Sequence, residues 1–415
     1  MAAISRQPPF LAAWRYGDYR LLWASTLGAY AGHWIEAVVV AWLVLELTDS
    51  PFLVGLQGAC RFAAMFLGPF FGTVSDRYDR RRILISVQLT LAAASLVMAG
   101  LVLASRLEAW HLFAFTLVGS VGFTLNFSTL FVTASDIVKG DHLVSAISLL
   151  MFATGITTIF GPLLGGSALG LIGGAGCFAL MAAGFLIAVA ALLPMKATRP
   201  ERAATHGSVW QNLLAGLRYI KNDEALLALI LLAALANLLI LPYRYTLIPI
   251  FARDVFGTGS GGFGQLLAAV GLGATLGSLA PGALPRRLSQ ARILMIISIV
   301  WPVLLMVVAT IRTLPLSMLL LVAAGVAQGI SMALIQSLLL MWSAAEMRGR
   351  VSGVRAFAIS TLPLGNLITG AGASLWGAPV TLFAAGAGAV LLTVLIVLWA
   401  TQLRDRHGGA GGSTR

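Results

Sequence analysis

Charge is what this sequence has least of. Only 10% of its 415 residues are Asp, Glu, Lys or Arg, against roughly 25% in a soluble domain. That deficit excludes an ordinary water-soluble domain and a solvated disordered chain. Acidic residues are scarcer than basic ones, 15 against 27. Cysteine is nearly absent. Cys60 and Cys177 lie inside apolar runs with no metal-ligand neighbour, so they read as small packing residues, with no disulfide framework and no metal site expected. The five histidines, His33, His111, His142, His206 and His407, are scattered, with no His-x-x-Glu-His or Ser/His/Asp grouping. No catalytic constellation and no cofactor is therefore expected. A Gly-x-x-x-x-Gly-Lys phosphate loop is also missing, which argues against an ATP-driven pump in one chain.

What is present is apolar length. Hydrophobic residues make up 59% of the chain, and a helix needs about 20 of them in a row to cross a bilayer. Twelve such runs are visible. The first six are Leu21–Leu47, Phe52–Ser75, Ile83–Ala104, His111–Thr133, Val144–Ala168 and Ala175–Pro194. The second six are Leu226–Phe251, Phe263–Leu284, Ile293–Ile311, Leu316–Ser343, Val354–Trp376 and Pro379–Thr401. Most links are very short, and Thr48-Asp49-Ser50-Pro51 is a turn signal. The first run is too long for a cleaved signal peptide and is expected to remain as a crossing.

With an N-terminus inside and alternating crossings, 21 of the 27 basic residues fall on the cytoplasmic side. Arg106, Arg253 and Arg312 fall outside, and Arg61, Arg244 and Arg355 fall within helices. This bias predicts both termini in the cytoplasm. It also accounts for the net charge of +12 as a topology signal, so no nucleic-acid partner is expected. The longest polar stretch lies midway. Within it, Val209, Leu213, Leu217 and Ile220 recur at helical spacing after a potential N-cap, Ser208. A short amphipathic helix on the membrane surface is expected there. The predicted organisation is an N-terminal six-helix bundle over residues 1–194, a cytoplasmic linker over 195–224, a C-terminal six-helix bundle over 225–402 and a disordered, Gly-rich tail over 403–415.

The two halves resemble each other. Phe71-Gly72-Thr73-Val74-Ser75-Asp76-Arg77 aligns with Pro281-Gly282-Ala283-Leu284-Pro285-Arg286-Arg287, and Arg82-Ile83-Leu84 with Arg292-Ile293-Leu294, at an offset of 210 residues. Val144-Ser145 aligns with Val351-Ser352 at an offset of 207. Together with the count of runs, this predicts a duplicated six-helix unit with an axis along the membrane normal.

The charged turn after the second run, Gly72, Asp76, Arg77, Arg80 and Arg81, resembles the signature of the major facilitator superfamily, with Asp79 standing where that family usually has Gly. In the second copy Arg286 replaces the Asp, so only the first carries an Asp-dependent role. Gly161-Pro162-Leu163-Leu164-Gly165-Gly166 in the fifth run resembles the family's exporter motif. Trp42 to Pro51 resembles the bacterial enterobactin-exporter and multidrug-efflux branch. The resemblance implies an all-α membrane protein: twelve transmembrane helices in two pseudo-symmetric bundles. It also implies that Asp76 faces the start of the eleventh helix and that the charged turn latches the cytoplasmic side shut. The alternative is a solvated turn that only sets topology.

Proline together with glycines at small-xxx-small spacing predicts a bent, tightly packed fifth helix, though such residues are also common in membrane helices generally. Ionisable groups within crossings are functional candidates. Glu36 lies about 22 Å into the first crossing at about 1.5 Å per residue. Arg61 falls at similar depth in the second crossing, and His33 shares the face of Glu36. The three are expected to form a proton or substrate site, or else a static ion pair. Proton-linked members of the family often carry an arginine in the fourth helix. Here that helix offers Asn126 instead, while His33 is a residue type that titrates near neutral pH. Arg244, flanked by Tyr243 and Tyr245, predicts a cation–π contact or an interfacial anchor. Trp34, Asn126, Asn237, Gln328 and Asn366 are further pocket candidates, and Arg355 a cytoplasmic-side clamp. The expected function is export of a small amphipathic compound across the bacterial inner membrane in exchange for protons, by a monomer embedded in lipid. A facilitator or uptake carrier of the same fold is the alternative.

Overall fold

The structure, a computed structural model, describes residues 9–196, 209–283 and 289–400. The second-copy residues Arg286 and Arg287, the N-cap candidate Ser208 and the C-terminal tail lie outside the described residues. Among the described residues every regular element is helical. In chain order they are α1 Gly17–Thr48, α2 Pro51–Ala63, α3 Gly68–Arg77, α4 Arg80–Leu103, α5 Ala109–Ile137, α6 Leu143–Leu192, α7 Val209–Lys221, α8 Glu224–Leu235, α9 Ile248–Ile250, α10 Ser260–Ala283, α11 Gln290–Thr310, α12 Leu314–Trp342, α13 Arg348–Ile359 and α14 Leu362–Trp399.

Nine continuous helical stretches are long and apolar enough to cross a membrane by length and composition. The break of α6 at Gly173 (φ 67°) and of α14 at Gly377 (φ 78°) divides two of them. Both glycines combine a positive φ with an extended ψ, a conformation essentially reserved for glycine, which reverses the chain with hardly any loop. With the α2–α3 stretch, the helices are consistent with twelve crossings.

Prolines reshape two crossings. Pro69 has no N–H to offer the carbonyl four residues back. The chain tightens to a 3₁₀ turn over Ala64–Leu67, and the Ala64 N–H donates to Ser120 Oγ on α5 at 3.1 Å. After α8, Pro242 and Pro249 accompany three π-helical turns, Ala236–Ile240, Tyr243–Leu247 and Phe251–Val255. There the bonds span five residues, as from Leu241 N–H to Ala236 O at 2.8 Å.

The chain divides into two compact units. The first comprises Met1–Asp49, Cys60–Thr205 and Thr258–Ala268, and the second Ser50–Ala59, His206–Gly257 and Ala269–Arg415. The first turns of α2 thus group with the second unit and those of α10 with the first. In the first unit the N-terminal segment is tied to the start of α6. Ala13 N–H donates to Ser145 Oγ, the Tyr19 hydroxyl to Ala146 O at 2.6 Å, and Trp23 Nε1 to Leu149 O at 2.9 Å. In the second unit α7 is the amphipathic helix expected after Ser208. Its buried Ile220 and Gly216 face α13, where a Cβ on Gly216 would stand 2.7 Å from Arg350 O. Leu214 and Leu217 are exposed.

Candidate functional site

One buried ionic cluster forms in the first unit. His33 and Glu36, three residues apart on α1, meet Arg61 near the end of α2. Arg61 Nη1 donates to Glu36 Oε2 at 2.6 Å, and Arg61 Nη2 donates to the His33 carbonyl at 2.9 Å. The Arg61 and Glu36 side chains are each 4% exposed. The His33 ring lies between the two charges, with Nδ1 3.3 Å from Glu36 Oε2 and Nε2 2.8 Å from Arg61 Nη2. A guanidinium only donates, so Nε2 must accept, and the ring is neutral with its proton on Nδ1, directed at the carboxylate. Glu36 Oε2 therefore carries two bonds. Oε1 is buried without a hydrogen-bond partner. It faces Gly119 of α5, where a Cβ would come to 3.6 Å. An added proton finds its least obstructed place on Oε1.

Arg80, Arg81 and Arg82 of the charged turn have partners within their own unit. Asp79 (φ −61°) N-caps α4, its carboxylate accepting from Arg81 N–H at 3.0 Å. The Gly common in the family is not required by this geometry. Arg80, 5% exposed, pairs with Asp136 at the end of α5. Arg81 donates through Nε to Leu192 O at 3.0 Å and through Nη2 to Leu193 O, a positive cap on the last turn of α6. Arg77 ends α3 and is exposed, and a Cβ on Gly72 would meet nothing within 4 Å. The side chain of Asp76 lies outside the described residues.

The fifth-run glycines serve two neighbours. A Cβ on Gly161 would come to 2.4 Å from Trp34 Cβ, and one on Gly165 to 3.1 Å from Ile35 Cα, so this face lies on α1. Gly166 faces α10, where its Cβ would be 2.4 Å from Ser260 O and 2.9 Å from Gly264 Cα. Ser260 Oγ also donates to Gly166 O at 2.9 Å. The backbone stays helical through Pro162 and breaks only at Gly173.

The second unit holds most of the remaining candidates. Arg244, 5% exposed, sits in the middle π turn with its guanidinium carbon 5.8 Å from the Tyr245 ring centre. Asn366 on α14 is fully buried, accepts from Thr246 Oγ1 at 2.9 Å and donates to Leu362 O at 3.1 Å. It fastens α14 to the same turn. Asn237 bonds back to Ala233 O at 2.8 Å. Gln328 is half-buried on α12 with its Oε1 unpartnered, and Arg355 is half-buried on α13. Asn126 in the first unit is 8% exposed on α5. Gly119, Tyr30, Phe123, Thr246 and Ser260 escaped the sequence reading. The i, i+4 spacing of Phe123 and Phe127 was the one available signal.

Apolar helices of crossing length, broken by near-loopless reversals and holding a buried ion pair, define a polytopic membrane transporter. Comparison with known proteins makes this specific. A family model described as transmembrane secretion effector matches residues 9–410, and the chain belongs to that family of the major facilitator superfamily. It is 27% identical over 375 residues to the enterobactin exporter EntS of Shigella boydii serotype 4 (strain Sb227), covering 88% of each chain. The EntS of Escherichia coli O81 (strain ED1a) is 26% identical over the same share. Among solved structures, a bacterial homologue of the human lysosomal transporter Spinster, described as inward-facing and unoccupied, superposes with a TM-score of 0.70 at 15% identity, covering 93% of this chain and 96% of that one. The nucleoside transporter NupG superposes with a TM-score of 0.72 at 15% identity, covering 92% and 99%. A D-xylose–proton symporter does so at 0.71 and 12%, covering 94% and 100%. These three likenesses concern the fold.

Proposed function

We propose that this transporter is a secondary active exporter. It moves a small amphipathic compound out across the bacterial inner membrane by alternating access, in exchange for protons, with both termini in the cytoplasm. The relatives named as enterobactin exporters support the direction. The observation that carries the coupling is the His33–Glu36–Arg61 cluster. A proton arriving at Glu36 Oε1 removes the charge that holds Arg61, and a neutral His33 with its proton on Nδ1 is placed to exchange it. Losing one charge of a buried pair leaves the other uncompensated, which drives the helices that carry them to a new arrangement. In the same reading the charged turn is the cytoplasmic latch, with Asp76 as its anion, and Gly161 to Gly166 seal the outer half against leak.

Proteoliposomes with an imposed pH gradient test this. Wild type is expected to accumulate substrate against its gradient. Glu36→Gln is expected to retain downhill exchange but lose uphill transport. Uphill transport by Glu36→Gln at the wild-type rate removes Glu36 as the coupling acid, and transport in the opposite sense only makes the chain an uptake carrier.

A further inference from the structure

The ionic cluster is the upper end of a row of stacked rings that the exporter reading does not use. The His33 ring lies parallel to Phe123, with centroids 4.3 Å apart and planes 12° apart. Phe123 stacks on Phe127 at 6.1 Å and 28°, and Phe127 meets Phe131 edge-on at 5.4 Å. Tyr30 packs edge-on against Phe123 at 5.9 Å. Its hydroxyl is buried with no hydrogen-bond partner, and the tyrosine is 6% exposed. The phenylalanines follow one stripe of α5 because they recur every four residues.

Two observations separate this row from ordinary lipid-facing surface. Phe127 is 50% exposed and Val118 39%. At about 100° per residue the two lie on opposite faces of α5. The helix therefore has a second open face, and that face carries the rings. The repeat supplies the other observation. The helices α5 and α12 have the same length and are offset by 205 residues at both ends, so the counterparts on α12 are Gln328, Met332 and Gln336. None of them is aromatic. The stripe carries rings in the first unit alone, so the duplicated framework does not require them for packing.

We infer that His33, Phe123, Phe127 and Phe131 form a binding rail for a compound presenting a planar aromatic ring, which stacks on Phe127 and advances along α5 towards Tyr30 and the ionic cluster. This rests on the exporter reading and names the substrate class of its site. Stacked rings favour centroid separations of about 4.5–7 Å, and each such pair is worth roughly 0.5–1.5 kcal/mol beyond area. The open ring of Phe127 offers its face at that spacing.

Purified full-length protein in lipid nanodiscs can be titrated by fluorescence with neutral phenylnaphthylamine, cationic acriflavine and anionic anilinonaphthalenesulfonate, subtracting empty nanodiscs. At least one probe is expected to bind wild type and Phe127→Tyr alike. Phe127→Leu should bind it roughly two- to tenfold more weakly, and Val118→Leu on the opposite face as wild type does. Naphthylmethylamine should displace the probe better than its fully saturated counterpart. Wild-type binding of none of the three, unchanged binding by Phe127→Leu, an equal loss in Val118→Leu, or equal displacement by the saturated compound overturns the inference. Uphill export of a non-aromatic compound alongside any of these leaves the exporter reading standing. Absence of uphill transport for every compound, with probe binding intact, sinks the exporter reading instead.

Discussion

The two units contain one buried arginine each at the centre of a candidate site, and they hold it differently. In the first unit Arg61 meets a carboxylate and an imidazole at 2.6 and 2.8 Å. In the second, Arg244 lies 5.8 Å from the centre of a tyrosine ring within a π-helical turn. A carboxylate can lose its charge by taking a proton, and an aromatic face cannot. The arrangement around Arg61 therefore includes a group whose charge a proton can remove.

Removing each arginine tests that difference most strongly. Arg61→Met leaves Glu36 buried and unpaired, which costs about 3–5 kcal/mol. A large fall in the thermal unfolding temperature of the purified protein is expected. Arg244→Met loses a desolvated cation–π contact worth about 2 kcal/mol, so its fall should be smaller. The double variant Glu36→Leu/Arg61→Met should recover much of the stability, because an apolar pair can replace a buried ion pair, while uphill transport stays lost. Equal destabilisation by the two single variants would erase the proposed contrast.

Where the units are alike, equal effects are expected. Gly166 lies against Gly264 in the first unit, and in the second Gly370 lies against Gly55, where a Cβ on Gly370 would be 2.9 Å from Gly55 Cα. Gly55 and Gly264 occupy corresponding places on α2 and α10, as do Gly166 and Gly370 on α6 and α14. Gly166→Leu and Gly370→Leu should each cost about 1–3 kcal/mol from overpacking, read from unfolding. Gly161→Leu belongs with them, since its Cβ would come to 2.4 Å from Trp34 Cβ. Gly72→Ala, with nothing within 4 Å of its Cβ, should cost nothing and gain up to about 1 kcal/mol from helix propensity.

Much of this was legible in the sequence, and the limits have physical causes. Run length gave the crossings, because a bilayer imposes them locally on each segment. Glu36, Arg61 and His33 could be placed together from depth and helix face alone, since Glu36 and Arg61 lie at similar distances along the chain from the short turn at Asp49 and Ser50. Partners from distant segments were not readable. Gly166 needed the position of α10, and Arg81 needed the end of α6. The regrouping of Ser50–Ala59 and Thr258–Ala268 follows from those same close glycine contacts, which leave no trace in run length. The π turns around Arg244 were signalled by Pro242, but hydrogen-bond register is set by packing. Asn366 looked like a pocket residue because polar groups in crossings are costly. Full burial with both ends of its amide bonded makes it a fastener instead.

The smallest expected effect compares the two copies of the charged turn. Asp79 N-caps α4, and at the repeat offset of 210 Ser289 N-caps α11, accepting from Arg292 N–H at 3.4 Å against 3.0 Å for Asp79. The two copies have kept the cap while diverging in the residues before it. Losing an N-cap to Ala costs about 0.5–2 kcal/mol, and to Gly only a few tenths. Asp79→Ala should therefore lower stability by about 1 kcal/mol, and Ser289→Ala by less, because its bond is longer and its acceptor uncharged. Asp79→Gly, which restores the residue usual in the family, should be nearly neutral in unfolding measurements. A loss from Asp79→Gly as large as that from Asp79→Ala would mean that the carboxylate acts through its charge on Arg82, 3.7 Å away, rather than as a cap. The resemblance between the two copies would then stop at the backbone.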